Sequence, residues 1–159
     1  MKVLFVCSQN MCRSPYCEFM FRKMVSESSK LAGKIEVHSS AVMSPVKHIH
    51  ENTAIALEKE GFSKEEISKH KPGYMLRPYD RELFNEADVI IGMTKSHKYF
   101  LPRKWKKKFM TLSEAARGVY IPVPDPWLQK SDDYAKSMDV IKGYIEEYVE
   151  LLEKSPKFE

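Results

Sequence analysis

An α/β fold built on a parallel sheet is what this sequence predicts, and three observations predict it. Strand-like and helix-like stretches alternate along the chain. The two clearest strand-like stretches, Val3 to Val6 and Val89 to Ile91, are short continuous apolar runs, as strands covered on both faces require. No repeat, low-complexity stretch or linker divides the 159 residues. Alternating strands and helices favour parallel strands joined by crossovers. A domain near this size buries roughly 70% of its unfolded-chain surface, enough for a single core. The expectation is one domain over residues 1–159, with helices on both faces of the sheet.

The elements follow in order. Lys2 to Val6 carries Val3, Leu4, Phe5 and Val6 in succession and reads as a buried strand. A helix pattern then runs from Ser14-Pro15 to about Ser28, with serine suited to the N-cap, proline to the first turn and Glu18 adding early negative charge. Phe19, Met20, Met24 and Val25 form its apolar face. Ile35 to Ser39 reads as a second strand, and Asn52 to Glu60 as a helix closed by Gly61. Tyr79 to Glu86 is helical in pattern, and Asp88 to Met93 is the clearest further strand. A short helix is expected from Ser96 to Leu101 and a strand from Phe109 to Leu112. Pro122, Pro124 and Pro126 stiffen a loop ahead of a long helix from about Ser131 to Lys154. In that helix Tyr134, Met138, Ile141, Ile145, Tyr148, Val149 and Leu152 recur at helical spacing.

Composition excludes several classes. Hydrophobic residues at 43% and charged residues at 30% describe an ordinary globular chain rather than a disordered one. No apolar run approaches the ~20 residues a membrane span needs. The opening Met-Lys-Val-Leu-Phe-Val is too short and too soon polar for a secretory signal, so the cytoplasm is the expected location. Cys7, Cys12 and Cys17 crowd together, which staples nothing distant and leaves a zinc tetrahedron incomplete. No metal and no cofactor are expected. The net charge of +4 includes Arg103, Lys104, Lys106, Lys107 and Lys108 around Trp105. That run reads as a solvated loop or helix end; without a binding motif it is a poor nucleic-acid site.

Chemistry concentrates in Cys7-Ser8-Gln9-Asn10-Met11-Cys12-Arg13-Ser14-Pro15, between a strand end and a helix start. A tight loop opening a helix turns main-chain N–H groups inward and makes an anion nest at the positive end of the helix. Arg13 adds a planar fork that matches two phosphate oxygens. The same donors favour a thiolate on Cys7, a nucleophile that needs neither metal nor separate base. Taken alone, Cys7 would read as the buried end of a core strand. The whole string, with Asn10 inside and Ser14-Pro15 opening a helix, favours catalysis.

This string resembles the signature V-C-x-x-N-x-C-R-S-P of the low-molecular-weight protein-tyrosine-phosphatase family. A second family mark, Asp-Pro-aromatic, has its counterpart in Asp125-Pro126-Trp127. The resemblance spans nearly the whole chain and implies a four-stranded parallel sheet with the phosphate-binding loop, residues 8–13, after the first strand. It implies Cys7 as nucleophile, Arg13 and the loop of Ser8, Gln9, Asn10, Met11 and Cys12 as the phosphate cradle, and Ser14 as a hydrogen-bond donor to the thiolate. Asn10 would fix the loop, since asparagine tolerates left-handed backbone angles. Asp125 would protonate the leaving oxygen and then activate water, which predicts a bell-shaped pH profile with an acidic optimum. The resemblance also suggests Cys12 as a disulfide partner for oxidised Cys7. Cys17 reads as core.

The chain departs from the family at Gln9, where glycine is usual, and at Leu128, where tyrosine-specific members have an aromatic. His70-Lys71-Pro72-Gly73 replaces an arginine-containing stretch, which puts a supporting polar network in doubt. Met93-Thr94-Lys95-Ser96-His97-Lys98 resembles the family's bacterial protein-arginine-phosphatase branch, whose loop carries threonine where this chain has Met11. A bulky apolar Met11 suits a flat ring and offers a guanidinium nothing polar. Stacking on Trp127, as the second pocket wall, would add roughly 0.5–1.5 kcal/mol for an aromatic leaving group. The expected substrate is therefore a phosphotyrosine protein or a small aryl phosphate, with phosphoarginine as the alternative. Arsenate reductases share this fold and first loop; the thioredoxin-coupled route lacks its two further cysteines between Ile91 and Leu101, which leaves a route through an external thiol as the lesser alternative.

Overall fold

The computed structural model describes residues 1–159. The elements run β1 (Lys2–Cys7), α1 (Arg13–Glu27), β2 (Glu36–Ala41), α2 (Glu51–Lys59), α3 (Lys64–Ser68) and α4 (Pro78–Glu86). They continue with β3 (Val89–Gly92), a 3-10 helix (Lys95–Phe100), α5 (Arg103–Lys106), β4 (Phe109–Thr111), α6 (Leu112–Arg117), α7 (Ser131–Glu153) and a closing 3-10 turn (Pro156–Phe158). All strand pairs are parallel, in the order β2-β1-β3-β4. The expected four-stranded parallel α/β sheet is therefore present.

Side chains alternate across a strand, and here both faces of β1 are used. Val3, Phe5 and Cys7 join the larger core beneath α1, α2 and α7, with Phe21, Leu57, Ile141 and Ile145. Leu4 and Val6 join a smaller core with Phe84, Leu101 and Trp105 on the opposite face. Since β1 pairs with β2 on one side and β3 on the other, the chain reverses its winding direction at β1. Ligands of open α/β sheets bind in the crevice at such a switch point. Cys7 closes β1 there.

Three details differ from the sequence expectation. Ser14 lies inside α1; the cap position is Cys12, which makes no side-chain capping bond. The serine hydroxyl is engaged by the loop instead. Glu18 lies past the first turn and is buried, so its charge serves a tertiary contact rather than the helix end. The short helices α3, α5 and α6 were not expected; each has a local cause. Ser63 with Glu66 and Thr111 with Glu114 form capping boxes, and Trp105 is drawn into the smaller core. The basic run thus wraps a buried tryptophan, and Lys108 Nζ donates to the carbonyls of Asn85 and Ala87 at the end of α4. No helix is long and apolar enough to cross a membrane.

Candidate active site

The loop between β1 and α1 is shaped by where its carbonyls go. Cys7 O accepts from Val42 N at 3.1 Å, Ser8 O from Met43 N at 2.9 Å and Met11 O from His50 N at 2.9 Å. Thr53 Oγ1 donates to Cys12 O at 3.3 Å. With the carbonyls turned outward and satisfied, the N–H groups of Ser8, Gln9, Asn10, Met11 and Cys12 find no acceptor in the protein. Unpaired buried donors are costly, so this concave ring calls for an anion.

Asn10 is the one non-glycine residue with positive φ, at 55°. Its carboxamide is fully paired. Nδ2 donates to Ser14 Oγ at 2.7 Å and to Ser39 Oγ at 2.9 Å. Oδ1 accepts from Gly73 N at 3.0 Å and lies 3.2 Å from His70 Nε2. Ser39 Oγ in turn donates to Glu18 Oε2 at 3.1 Å, and His70 Nδ1 lies 3.0 Å from the same oxygen. A supporting polar network is therefore present, correcting the doubt raised by the His70–Gly73 stretch: an imidazole and a main-chain N–H supply it. Burial pushes the Glu18 carboxyl up, but the bond from His70, the neighbouring Arg22 and Ser39 outweigh that and hold it below the usual carboxylate value.

These partners decide the direction of the last bond. Nδ2 has only hydrogens to give, so Ser14 Oγ accepts there and its own hydrogen is free for Cys7 Sγ at 3.0 Å. Burial governs the other two thiols. Burial pushes Cys12 up to about 12, and burial likewise puts Cys17 well above its ordinary value. Cys17 belongs to the core, where its thiol faces Met93 Sδ at 3.9 Å.

Arg13 is 4% exposed, and its guanidinium is half occupied. Nη1 donates to Val123 O at 2.7 Å and Nη2 lies 3.4 Å from Asp125 Oδ2, whereas the buried Nε has no partner. Val123 N also donates to Met93 O at 3.1 Å, which anchors the proline-rich loop to the end of β3. That anchoring brings Asp125 from far along the chain to the cavity lined by Cys7, Ser8, Gln9, Met11, Cys12 and Arg13. Gln9 Nε2 donates to Ser44 Oγ at 3.2 Å, so the loop accommodates a side chain where glycine is usual.

Trp127 is not part of that cavity wall, contrary to expectation. It is 50% exposed, and its N–H donates to Asp125 Oδ1 at 3.3 Å. The chain turns directly after Asp125, with Gln129 N donating to Pro126 O at 2.8 Å, and this turn holds Trp127 outside the cavity. Met11 does line the cavity. A larger cavity, about 620 Å³, contains none of the loop residues 7–13; Glu18, Phe19, Arg22 and His70 help line it. Sequence reasoning missed His70, Ser39 and His97 as site residues, because scattered histidines and serines carry no spacing signal.

A thiol at a strand end, a ring of unpaired amides, a half-free guanidinium and a partly exposed carboxylate are a set of groups that can bind and cleave a phosphate ester. A family model described as low molecular weight phosphotyrosine protein phosphatase matches residues 2–157. A protein-arginine-phosphatase of Bacillus subtilis (strain 168) is 28% identical over 158 residues, covering 97% of this chain and 98% of that protein. The low molecular weight protein-tyrosine-phosphatase YfkJ of the same organism is 35% identical over 95 residues, 57% of this chain and 54% of that one. The crystal structure of a low molecular weight protein tyrosine phosphatase from T. tengcongensis superposes with a TM-score of 0.76 at 30% identity, covering 95% of this chain and 99% of that one.

Proposed function

Because this chain belongs to the low molecular weight phosphotyrosine protein phosphatase family, it is a phosphatase, and we propose that it hydrolyses phosphotyrosine in proteins through a cysteinyl-phosphate on Cys7. The observation that carries the assignment of Cys7 is the pairing of Sγ with the Ser14 hydroxyl beneath the unpaired amides of residues 8–12. Sγ attacks phosphorus in line, and the P–O bond to the leaving group breaks. Arg13 Nε and the loop N–H groups hold the nonbridging oxygens as charge redistributes. Asp125, protonated, gives its proton to the departing oxygen. In the second step its carboxylate takes a proton from water, whose oxygen attacks phosphorus and releases phosphate and the Cys7 thiolate.

Tyrosine is favoured by Met11, whose apolar side chain forms the wall beside the nucleophile. Phosphoarginine is the second reading; the full-length likeness to a protein-arginine-phosphatase favours it. The two are separated by phosphate release from phosphotyrosine and phosphoarginine peptides by wild type, Cys7→Ser, Asp125→Ala and Met11→Thr. Wild type is expected to prefer phosphotyrosine, Cys7→Ser to be inactive on both, and Met11→Thr to shift the ratio toward phosphoarginine. An unchanged ratio in Met11→Thr defeats the pocket argument.

The same reading gives Cys12 a protective role after oxidation of Cys7, and it places the protein in the cytoplasm, where a reducing pool keeps such a thiol pair open. Cys12 is held as a neutral thiol by burial. Peroxide-inactivated wild type is expected to regain activity with a dithiol, and Cys12→Ser to stay inactive. Equal recovery removes Cys12 from that role.

A further inference from the structure

His97 has no part in the chemistry above, yet it is 2% exposed and sits against the loop. Its ring is held from behind. Nδ1 accepts from Met93 N at 3.1 Å and from Thr94 N at 3.3 Å. An ideal Cβ at Gly92 would come 3.2 Å from His97 Cβ, so the histidine rests directly on the end of β3. A ring nitrogen whose lone pair faces two donors carries no hydrogen, and in a neutral imidazole the hydrogen is then on the other nitrogen. That nitrogen, Nε2, lies 3.4 Å from Ser8 Oγ. Burial and the nearby Arg13 charge push the His97 pKa down to about 3, so the ring stays neutral through the working range.

We propose that His97 is a positioning residue for the phosphate loop: its Nε2–H occupies a lone pair of Ser8 Oγ and thereby turns the serine hydroxyl hydrogen toward an oxyanion in the cavity. A hydroxyl has one hydrogen and two lone pairs. With Nε2–H donating into one lone pair, the hydrogen needs a separate acceptor. The neighbouring loop carbonyls of Cys7, Ser8 and Met11 already accept from residues 42–50, and Ser8 lines the cavity. The acceptor that fits is an oxygen of the bound phosphate group, so Ser8 adds a side-chain donor to the ring of main-chain ones. The opposite tautomer would draw the Ser8 hydrogen back to Nε2 and present a lone pair to a dianion. Two main-chain N–H groups behind the histidine thus set the sign of a contact in front of it.

This inference rests on the phosphate-cradle reading of the loop, and the test separates the two. Binding of inorganic phosphate by calorimetry and kcat/KM on p-nitrophenyl phosphate would be measured for wild type, Ser8→Ala, His97→Asn, His97→Gln and the Ser8→Ala/His97→Asn double variant. Asparagine can keep an acceptor where Nδ1 stood, and glutamine can keep a donor where Nε2 stood. Ser8→Ala and His97→Asn are each expected to weaken phosphate binding and kcat/KM by about tenfold, the order of one hydrogen bond to a charged group. The double variant should be no worse than Ser8→Ala, and His97→Gln should recover most of the loss. An additive loss in the double variant, or unchanged phosphate affinity in His97→Asn, overturns the proposal. Nitrogen NMR of His97 in the wild-type protein reads the tautomer without any substitution, and a hydrogen on Nδ1 overturns it as well. If phosphate binding follows the expected pattern while no ester is hydrolysed, the positioning role stands and the hydrolytic reading falls. If hydrolysis proceeds without the pattern, the positioning role alone falls.

Discussion

Single residues decide how the loop is held, as Asn10 shows. A left-handed backbone at a non-glycine residue costs roughly 1–2 kcal/mol, and the carboxamide offsets that cost with its partners on Ser14, Ser39 and Gly73. Asn10→Ala keeps the strain and removes the partners. Urea unfolding is expected to show a loss of about 2–4 kcal/mol, combining the strain with buried groups left unpaired. Its kcat should fall with it, since Ser14 loses the bond that turns its hydrogen toward Cys7; unaltered kcat would show that Ser14 is oriented otherwise. Arg13→Lys tests the guanidinium separately. A lysine keeps the charge but not the fork, so activity should drop on the order of a hundredfold, with stability less affected than in Asn10→Ala. Activity within a few-fold of wild type would mean that charge alone suffices. The asparagine and arginine were legible in the sequence because their spacing from Cys7 is local. Their partners Ser39, His70 and Val123 were not, because the fold brings them together across long stretches of chain.

At the level of elements, the site hangs on where strands stop. β1 ends at Cys7 and β3 at Gly92, and at Gly92 there is no room for a side chain. An ideal Cβ would come within 2.6 Å of the Phe109 ring and 3.2 Å of His97 Cβ. Gly92→Ala is expected to cost about 1–3 kcal/mol by overpacking and to lower kcat/KM through the displaced His97. Gly118→Ala is the contrasting variant: φ is 72° with nothing nearby, so it should cost about 1 kcal/mol through backbone strain and leave activity unchanged. Thermal melts and p-nitrophenyl phosphate kinetics on the pair check this, and equal activity loss in both would remove the link from β3 to the loop. Strands and long helices were legible from apolar patterning. The N-terminus of α1 was misread because Ser14 suits a cap by local rules, whereas its hydroxyl is claimed by Asn10 and Cys7. Trp105 shows the same limit, since its burial beneath Arg81 and Lys104 depends on the smaller core.

For the molecule as a whole, activity and stability should respond to acid in opposite ways. On the proposed mechanism Cys7 acts as thiolate and Asp125 as acid, so an acidic optimum is expected, and a rate that stays flat through pH 8 would count against Asp125 as the acid. The fold, by contrast, contains groups that resist protonation. His97 is pushed down from 6.5 to about 3 by burial and Arg13. Between those values the unfolded chain takes up a proton that the folded one refuses, so stability is full above 6.5 and is lost as pH falls toward 3. Glu18, held below 4.5, adds to the loss at the acid end. The urea midpoint of wild type should therefore fall between pH 7 and 4, and more steeply than that of His97→Asn; parallel slopes would exclude His97 as the source. The amino-acid sequence by itself determined the parallel α/β class and the Cys7–Pro15 loop, because periodicity, turn chemistry and short spacings are properties of neighbouring residues; Asp125 was marked by the family resemblance of Asp125-Pro126-Trp127. Only the tertiary structure decided that Trp127 stands outside the cavity, that His70 and Glu18 brace Asn10, and that His97 faces Ser8. The His70–Asn10 and His97–Ser8 contacts join residues 60 and 89 positions apart, and no local pattern encodes such pairings, because parallel crossovers set them when the sheet closes.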